Sequence, residues 1–160
     1  MSMMVIDPYR FAAADTFIMG YRQDVMAWSS VDGSSGITYT RGQSSSALSG
    51  GLAGVSTAAD ADNSDYMEWQ VNLAAGTYTL TGVFFRSTDR GIADWSLDGV
   101  SVGTYDMYGG AAWNIVSEIT GITVAADGNY TLRVTANGKN ASSSDYVINH
   151  TSVTLTRTGA

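Results

Sequence analysis

Residues 66–73 read Tyr66-Met67-Glu68-Trp69-Gln70-Val71-Asn72-Leu73, with Met67, Trp69, Val71 and Leu73 alternating against Tyr66, Glu68, Gln70 and Asn72. A period of two puts the apolar side chains on one face and the polar ones on the other, which predicts a half-buried β-strand. The same pattern repeats outward from this stretch. Ala74-Ala75-Gly76 turns the chain into 77–85, whose Thr, Tyr, Val and Phe residues suit a pleated surface, with Gly82 read as a bulge. Trp95-Ser96-Leu97-Asp98-Gly99-Val100-Ser101-Val102 predicts a tight hairpin, because Asp-Gly tolerates positive φ at both centres of a type I′ turn. Residues 115–124 give one further strand. Asp127-Gly128-Asn129 then turns into 130–136, where Tyr130, Leu132, Val134 and Ala136 alternate with Thr131, Arg133 and Thr135, and 147–157 closes the domain. Short strands with turn signals at intervals of about ten residues predict an all-β sandwich.

A chain of 160 residues suits one domain. Residues 60–160 are read as the sandwich core, 46–59 as a Gly/Ser/Ala-rich loop, and 1–45 as an irregular N-terminal arm that includes a first strand at 37–41. Apart from Leu48, Leu52 and Val55, residues 44–59 are Ser, Ala, Gly or Thr, a composition that buries little. The arm carries apolar residues without a clean period. Ile6, Tyr9, Phe11, Phe17, Tyr21 and Trp28 need burial, either over the domain's own sandwich or on another subunit, and they are the candidate protein-interface residues.

Charged residues make up 14% of the chain, well below the roughly 25% of an average domain, so the surface must be built from Ser, Thr, Asn and Gly. A net charge of −7, with Lys139 the single lysine, argues against phosphate backbones and anionic lipid, so neither nucleic acid nor a membrane is an expected partner. Cys is absent, so no disulfide holds the fold. The first eight residues lack a basic region and a long apolar run, which predicts no secretory route for the chain as written. No later segment is long and apolar enough to span a membrane.

The order of these pieces resembles the family 6 and family 35 carbohydrate-binding modules and their jelly-roll relatives. The resemblance runs through Asp65-Tyr66-Met67-Glu68-Trp69-Gln70-Val71, Ala75-Gly76-Thr77-Tyr78-Thr79-Leu80, Ser96-Leu97-Asp98-Gly99, and Gly109-Gly110-Ala111-Ala112-Trp113. It continues through Gly128-Asn129-Tyr130-Thr131-Leu132-Arg133-Val134 and ends with Ser144-Asp145-Tyr146-Val147-Ile148, covering roughly residues 60–157. It implies a jelly-roll β-sandwich in which Trp113, on the loop after the Gly-Gly turn, stacks on a sugar ring. Tyr105 and Tyr108 would add a second aromatic wall, and Asn114 and Asn140 polar partners for the hydroxyls. The family's first aromatic falls at Leu52-Ala53-Gly54-Val55-Ser56, and its calcium-binding acidic pair has no counterpart, since the first thirty residues contain no Glu. No metal or cofactor is expected, and the cluster Asp60, Asp62, Asp65 is read as a solvated acidic turn.

The opening Val5-Ile6-Asp7-Pro8-Tyr9-Arg10-Phe11 is similar to short openings of bacteriophage tail and capsid accessory proteins. This resemblance implies a non-enzymatic virion protein, a capsid decoration or tail appendage assembled in the host cytoplasm. Its partners would be capsid or tail proteins of the same particle, further copies of itself in a homo-oligomer such as a trimer, and a cell-surface glycan. The alternative is a free-standing or excised carbohydrate-binding module of a secreted glycan-active protein. No enzyme is expected. One His and no Cys leave little for a zinc site or nucleophilic dyad, and His150 is read as a surface or interface side chain. Glu68 and Glu118 are the only glutamates, and Asp89, Asp94 and Asp106 are read as loop and turn aspartates rather than a glycosidase pair.

Overall fold

The computed structural model describes residues 16–19, 30–32, 55–56, 62–150 and 152–160. The strands within them are β1 (Thr16–Met19), β2 (Ser30–Asp32), β3 (Val55–Ser56), β4 (Tyr66–Leu73), β5 (Gly76–Arg86) and β6 (Gly91–Leu97). They continue with β7 (Val100–Asp106), β8 (Ala112–Val124), β9 (Gly128–Lys139), β10 (Asn149–His150) and β11 (Ser152–Gly159). All their pairings are antiparallel. One sheet runs β1-β11-β5-β8, a second runs β2-β4-β9-β6-β7, and β10 pairs with β3. This is the predicted all-β, jelly-roll β-sandwich. The arm contributes an edge strand to each large sheet, whereas the expected strand at 37–41 lies outside the described residues.

Alternation decides which faces meet. In β4, Met67, Trp69, Val71 and Leu73 are buried while Tyr66, Glu68, Gln70 and Asn72 face outward, as read from the sequence. Leu132, Val134 and Ala136 of β9 and Ala93, Trp95 and Leu97 of β6 join them on the inner face of the five-stranded sheet. Tyr78, Leu80 and Phe84 of β5, Ile119 and Ile122 of β8, and Val153 and Leu155 of β11 oppose them from the four-stranded sheet. Trp69 stacks on Trp95, with centroids 6.2 Å apart and planes at 18°. On the outer face polar pairs close the ladder. Arg133 Nε donates to Glu68 Oε2 at 2.8 Å, and Gln70 and Asn72 each donate to a partner on β9 at 2.8 Å.

The predicted hairpin is β6–β7. Asp98 and Gly99 have φ of 48° and 80°, the pair of positive values a type I′ turn needs, and Leu97 lies opposite Val100. A Cβ on Gly99 would meet nothing within 4 Å, so glycine is required there by backbone conformation and not by space. The tip is fastened to β9, since Asp98 N–H donates to Thr131 C=O at 2.9 Å and Thr131 N–H to Asp98 Oδ1 at 2.7 Å.

Three expectations need correction. First, Gly82 is not a bulge. It pairs in register with Val153 and with Ser117, and the shifts in the β5–β8 ladder fall on either side of it, at Tyr78/Leu80 and Phe84/Arg86. Its lack of a side chain makes room instead, because a Cβ would collide with the Tyr105 hydroxyl. Second, 147–157 is not one strand. β10 ends at His150 and β11 starts at Ser152, so the alternation of Val153 and Leu155 does not carry back.

Third, and as a result, His150 is not a surface residue: it is 1% exposed. Its Nε2 shares a hydrogen bond with the Tyr105 hydroxyl, and the edges of Trp95, Phe84 and Tyr105 surround its ring. Burial holds the imidazole down at a pKa of about 3 and pushes the Tyr105 hydroxyl above its ordinary value, the latter opposed by the neighbouring Trp95 indole.

Candidate functional site

The last residues of β5 and the first of β8 build one end of the sandwich. On β5, Phe84 and Arg86 are two residues apart, but their partners on β8, Ile115 and Ala112, are three apart. The extra residue is accommodated at Trp113-Asn114, where Asn114 takes φ of 56°, a left-handed conformation that Asn tolerates better than most residues. Such a bulge re-aims the side chains beside it. Here it brings the half-buried Trp113 ring against Phe85, with centroids 4.2 Å apart and planes at 34°. Phe85 follows buried Phe84, so the period of the strand turns it to the outer side. The next pair along that face is Val83 opposite Val116, and Val116 is 58% exposed.

The surroundings of Phe85 are polar and fixed. Asn149, 8% exposed, accepts the Phe85 N–H through Oδ1 at 2.9 Å and donates to the Phe85 carbonyl through Nδ2 at 3.0 Å. The Arg90 guanidinium lies 5.3 Å from the Phe85 ring centroid and pairs with Asp89 at 2.7 Å. Burial draws that guanidinium below its ordinary pKa, against the opposing charge of Asp89. The loop bearing Arg90 is gripped from the C-terminal side: buried Ser143 donates to the Arg90 carbonyl at 2.8 Å, and Gly91 N–H donates to Val147 C=O at 2.9 Å.

Tyr108 reaches the same end, bridged to Ser87, with its N–H donated to Asp106 Oδ1 at 2.9 Å. Arg86 lies along the Gly-Gly turn and donates from Nε to Gly110 C=O at 3.2 Å. A Cβ on Gly109 would come within 2.8 Å of the Arg86 side chain. Asn140 donates to Asp106 Oδ2 at 3.0 Å and accepts from Ser142 N–H at 3.1 Å, so Asp106 ties the Tyr108 and Asn140 loops together.

Of the residues read as sugar contacts, Trp113, Tyr108, Asn114 and Asn140 therefore belong to this end or the loops bordering it. Tyr105 does not. It lies opposite buried Ala93, so alternation turns it inward, where it stacks on Phe84 at 5.3 Å and meets His150. The ring that Trp113 meets is Phe85, which the sequence reading passed over. The tandem Phe84-Phe85 was its signal, since one face of a strand cannot bury two successive residues. Of the candidate interface residues, Phe17 lies in β1, whose backbone pairs with β11, and Ile6, Tyr9, Phe11, Tyr21 and Trp28 lie outside the described residues.

The aspartates are spoken for individually. Asp65 Oδ2 accepts from Asp62 N–H at 3.1 Å across the turn before β4, and Asp89 pairs with Arg90. Asp94 is a β6 residue rather than a loop one and holds Ser101 at 2.7 Å and Asn137 at 2.9 Å. Among the described residues, no group of three or more His, Asp or Glu is placed to hold a metal ion. The end of the sandwich offers a stacking surface with guanidinium, amide and hydroxyl groups around it, an arrangement suited to a ring with an apolar face and a polar rim.

The sequence matches no protein-family model and no curated protein. The fold matches a xanthan lyase from Paenibacillus at 24% identity and a TM-score of 0.64, over 87% of this chain and 13% of the lyase, so the chain spans a small part of that enzyme's length. The CBM36-1 domain of a multidomain xylanase from the hindgut metagenome of Trinervitermes trinervoides matches at 16% identity and a TM-score of 0.60, over 91% of this chain and 99% of that domain. A family 35 carbohydrate-binding module from an environmental isolate matches at 16% identity and a TM-score of 0.59, over 89% of this chain and 94% of the module. The similarity spans nearly the whole of two carbohydrate-binding modules, and this chain shares their β-sandwich fold.

Proposed function

We propose that the chain is a non-catalytic carbohydrate-binding module that holds a polysaccharide through the Phe85–Trp113 platform. The observation that carries this reading is the β8 bulge, which uses a left-handed residue to lay a half-exposed Trp on an outward-facing Phe beside the Arg90 guanidinium. Ring stacking would supply the apolar contact of a pyranose, and the neighbouring donors and acceptors its hydroxyl contacts. Xylan and xanthan are the first ligands to test, given the enzymes that carry similar domains. Trp113→Ala is expected to weaken binding by about 1–3 kcal/mol, roughly five- to 150-fold, in titration calorimetry with whichever oligosaccharide a glycan array identifies. Equal binding by wild type and variant, or no binding of any glycan by the wild type, would overturn the reading.

The virion role expected from residues 5–11 concerns where such a module is carried, and a particle component would turn the same platform towards host-surface glycans. Its test is co-sedimentation with assembled particles. A chain left wholly at the top of the gradient refutes it.

A further inference from the structure

We propose that Asn149 is the positioning residue of the platform, fixing from behind the ring on which Trp113 rests; this rests on the reading of Phe85 and Trp113 as the binding surface. The ladder between β5 and β11 stops at Val83 opposite Ser152. Two residues further on, Phe85 meets a side chain in place of a strand. Asn149 exchanges with it the two bonds that a neighbouring strand residue would make, 2.9 Å to the N–H and 3.0 Å to the carbonyl.

A carboxamide carries a donor and an acceptor side by side in one plane, as a peptide group does, and keeps both at any pH at which the protein folds. A carboxylate would keep the bond to the N–H and set a second acceptor against the carbonyl, and an aliphatic side chain would keep neither. Asn149 is buried between Ile148 and His150, which are 0% and 1% exposed, where an amide is costly unless both of its ends are bonded. Its burial and its two bonds belong together: the residue is placed to hold Phe85. With the Phe85 backbone held, its ring starts from a fixed point beneath Trp113 and Arg90, which both lie against it. A surface fixed before the ligand arrives loses less freedom on binding.

The experiment reads Trp113 directly. In a ¹⁵N correlation spectrum with the Trp113 indole resonance assigned by Trp113→Phe, Asn149→Ala is expected to shift or broaden that resonance and leave the Trp69 indole in place. It is also expected to weaken binding of the array-identified oligosaccharide at least ten-fold. Asn149→Asp, of the same shape, serves if the alanine variant does not fold, and is expected to move the same resonance. In the wild type, the Phe85 amide is expected to exchange slowly with deuterium. An unmoved Trp113 resonance in a folded variant, or a Phe85 amide exchanging as an open one does, overturns the proposal. Since neither readout needs a ligand, failure of Trp113→Ala to affect glycan binding would sink the binding reading and leave the role of Asn149 to be decided by the spectra.

Discussion

Replacing Gly82 with alanine is expected to cost about 2–6 kcal/mol of stability, a large effect for the addition of one methyl group. The new Cβ would occupy the place of the Tyr105 hydroxyl and lie 3.1 Å from the ring carbon that bears it, with the His150 ring at 3.5 Å. Gly82 is held by β11 on one side and β8 on the other, so the backbone has little room to retreat. The tyrosine must move instead, and with it goes the hydrogen bond to a histidine that is 1% exposed. Overpacking and an unsatisfied buried nitrogen both contribute, and each is worth about 1–3 kcal/mol. Urea unfolding of Gly82→Ala, Tyr105→Phe and the double variant checks the cause. Removing the hydroxyl should make the alanine cheaper, so the double variant should be more stable than the sum of the single losses predicts. Strict additivity would place the cost elsewhere.

The second large effect is with acid. His150 has a pKa of about 3 in the folded protein against 6.5 for an ordinary histidine, because burial excludes the charged form. Below pH 6.5 the unfolded chain gains a proton that the folded one refuses. The histidine's contribution is therefore fully present above pH 6.5 and is lost as the pH falls from there towards 3. The slope approaches about 1.4 kcal/mol per pH unit over that window, several kcal/mol in all. Carboxylates also titrate at the lower end, so the comparison is with His150→Asn. Between pH 6 and 4.5 the variant, although less stable at neutral pH, should show a shallower decline in unfolding free energy. Parallel declines would mean that the imidazole is not held neutral.

These two residues also mark where the sequence was legible and where it was not. β4 and the β6–β7 hairpin were readable because their determinants are local: an alternating run, and an Asp-Gly pair that accepts positive φ. Gly82 needed knowledge of Tyr105, more than twenty residues away, and nothing near it in the chain separates a glycine that makes room from one that bulges. His150 was misread because a period was carried across the junction of β10 and β11. The site divides in the same way. Trp113 is singled out through the Gly-Gly turn before it. Phe85 and Asn149 are not singled out by the sequence, although each breaks a local pattern, a second Phe in a strand and an amide directly after the apolar pair Val147–Ile148.

The position of β11 between β1 and β5 has a consequence for how the molecule is made. Thr16 pairs with Thr156 and Met19 with Val153, so β1 cannot find its place until β11 has been synthesised. Until then β5 also presents an open edge, with Val83, Gly82, Thr81 and Leu80 still waiting for their partners. The β6–β7 hairpin forms between neighbouring residues, but the four-stranded sheet closes only by joining segments about as far apart as the chain allows, a slow kind of step. In that interval the exposed edge of β5 is open to pairing with another molecule.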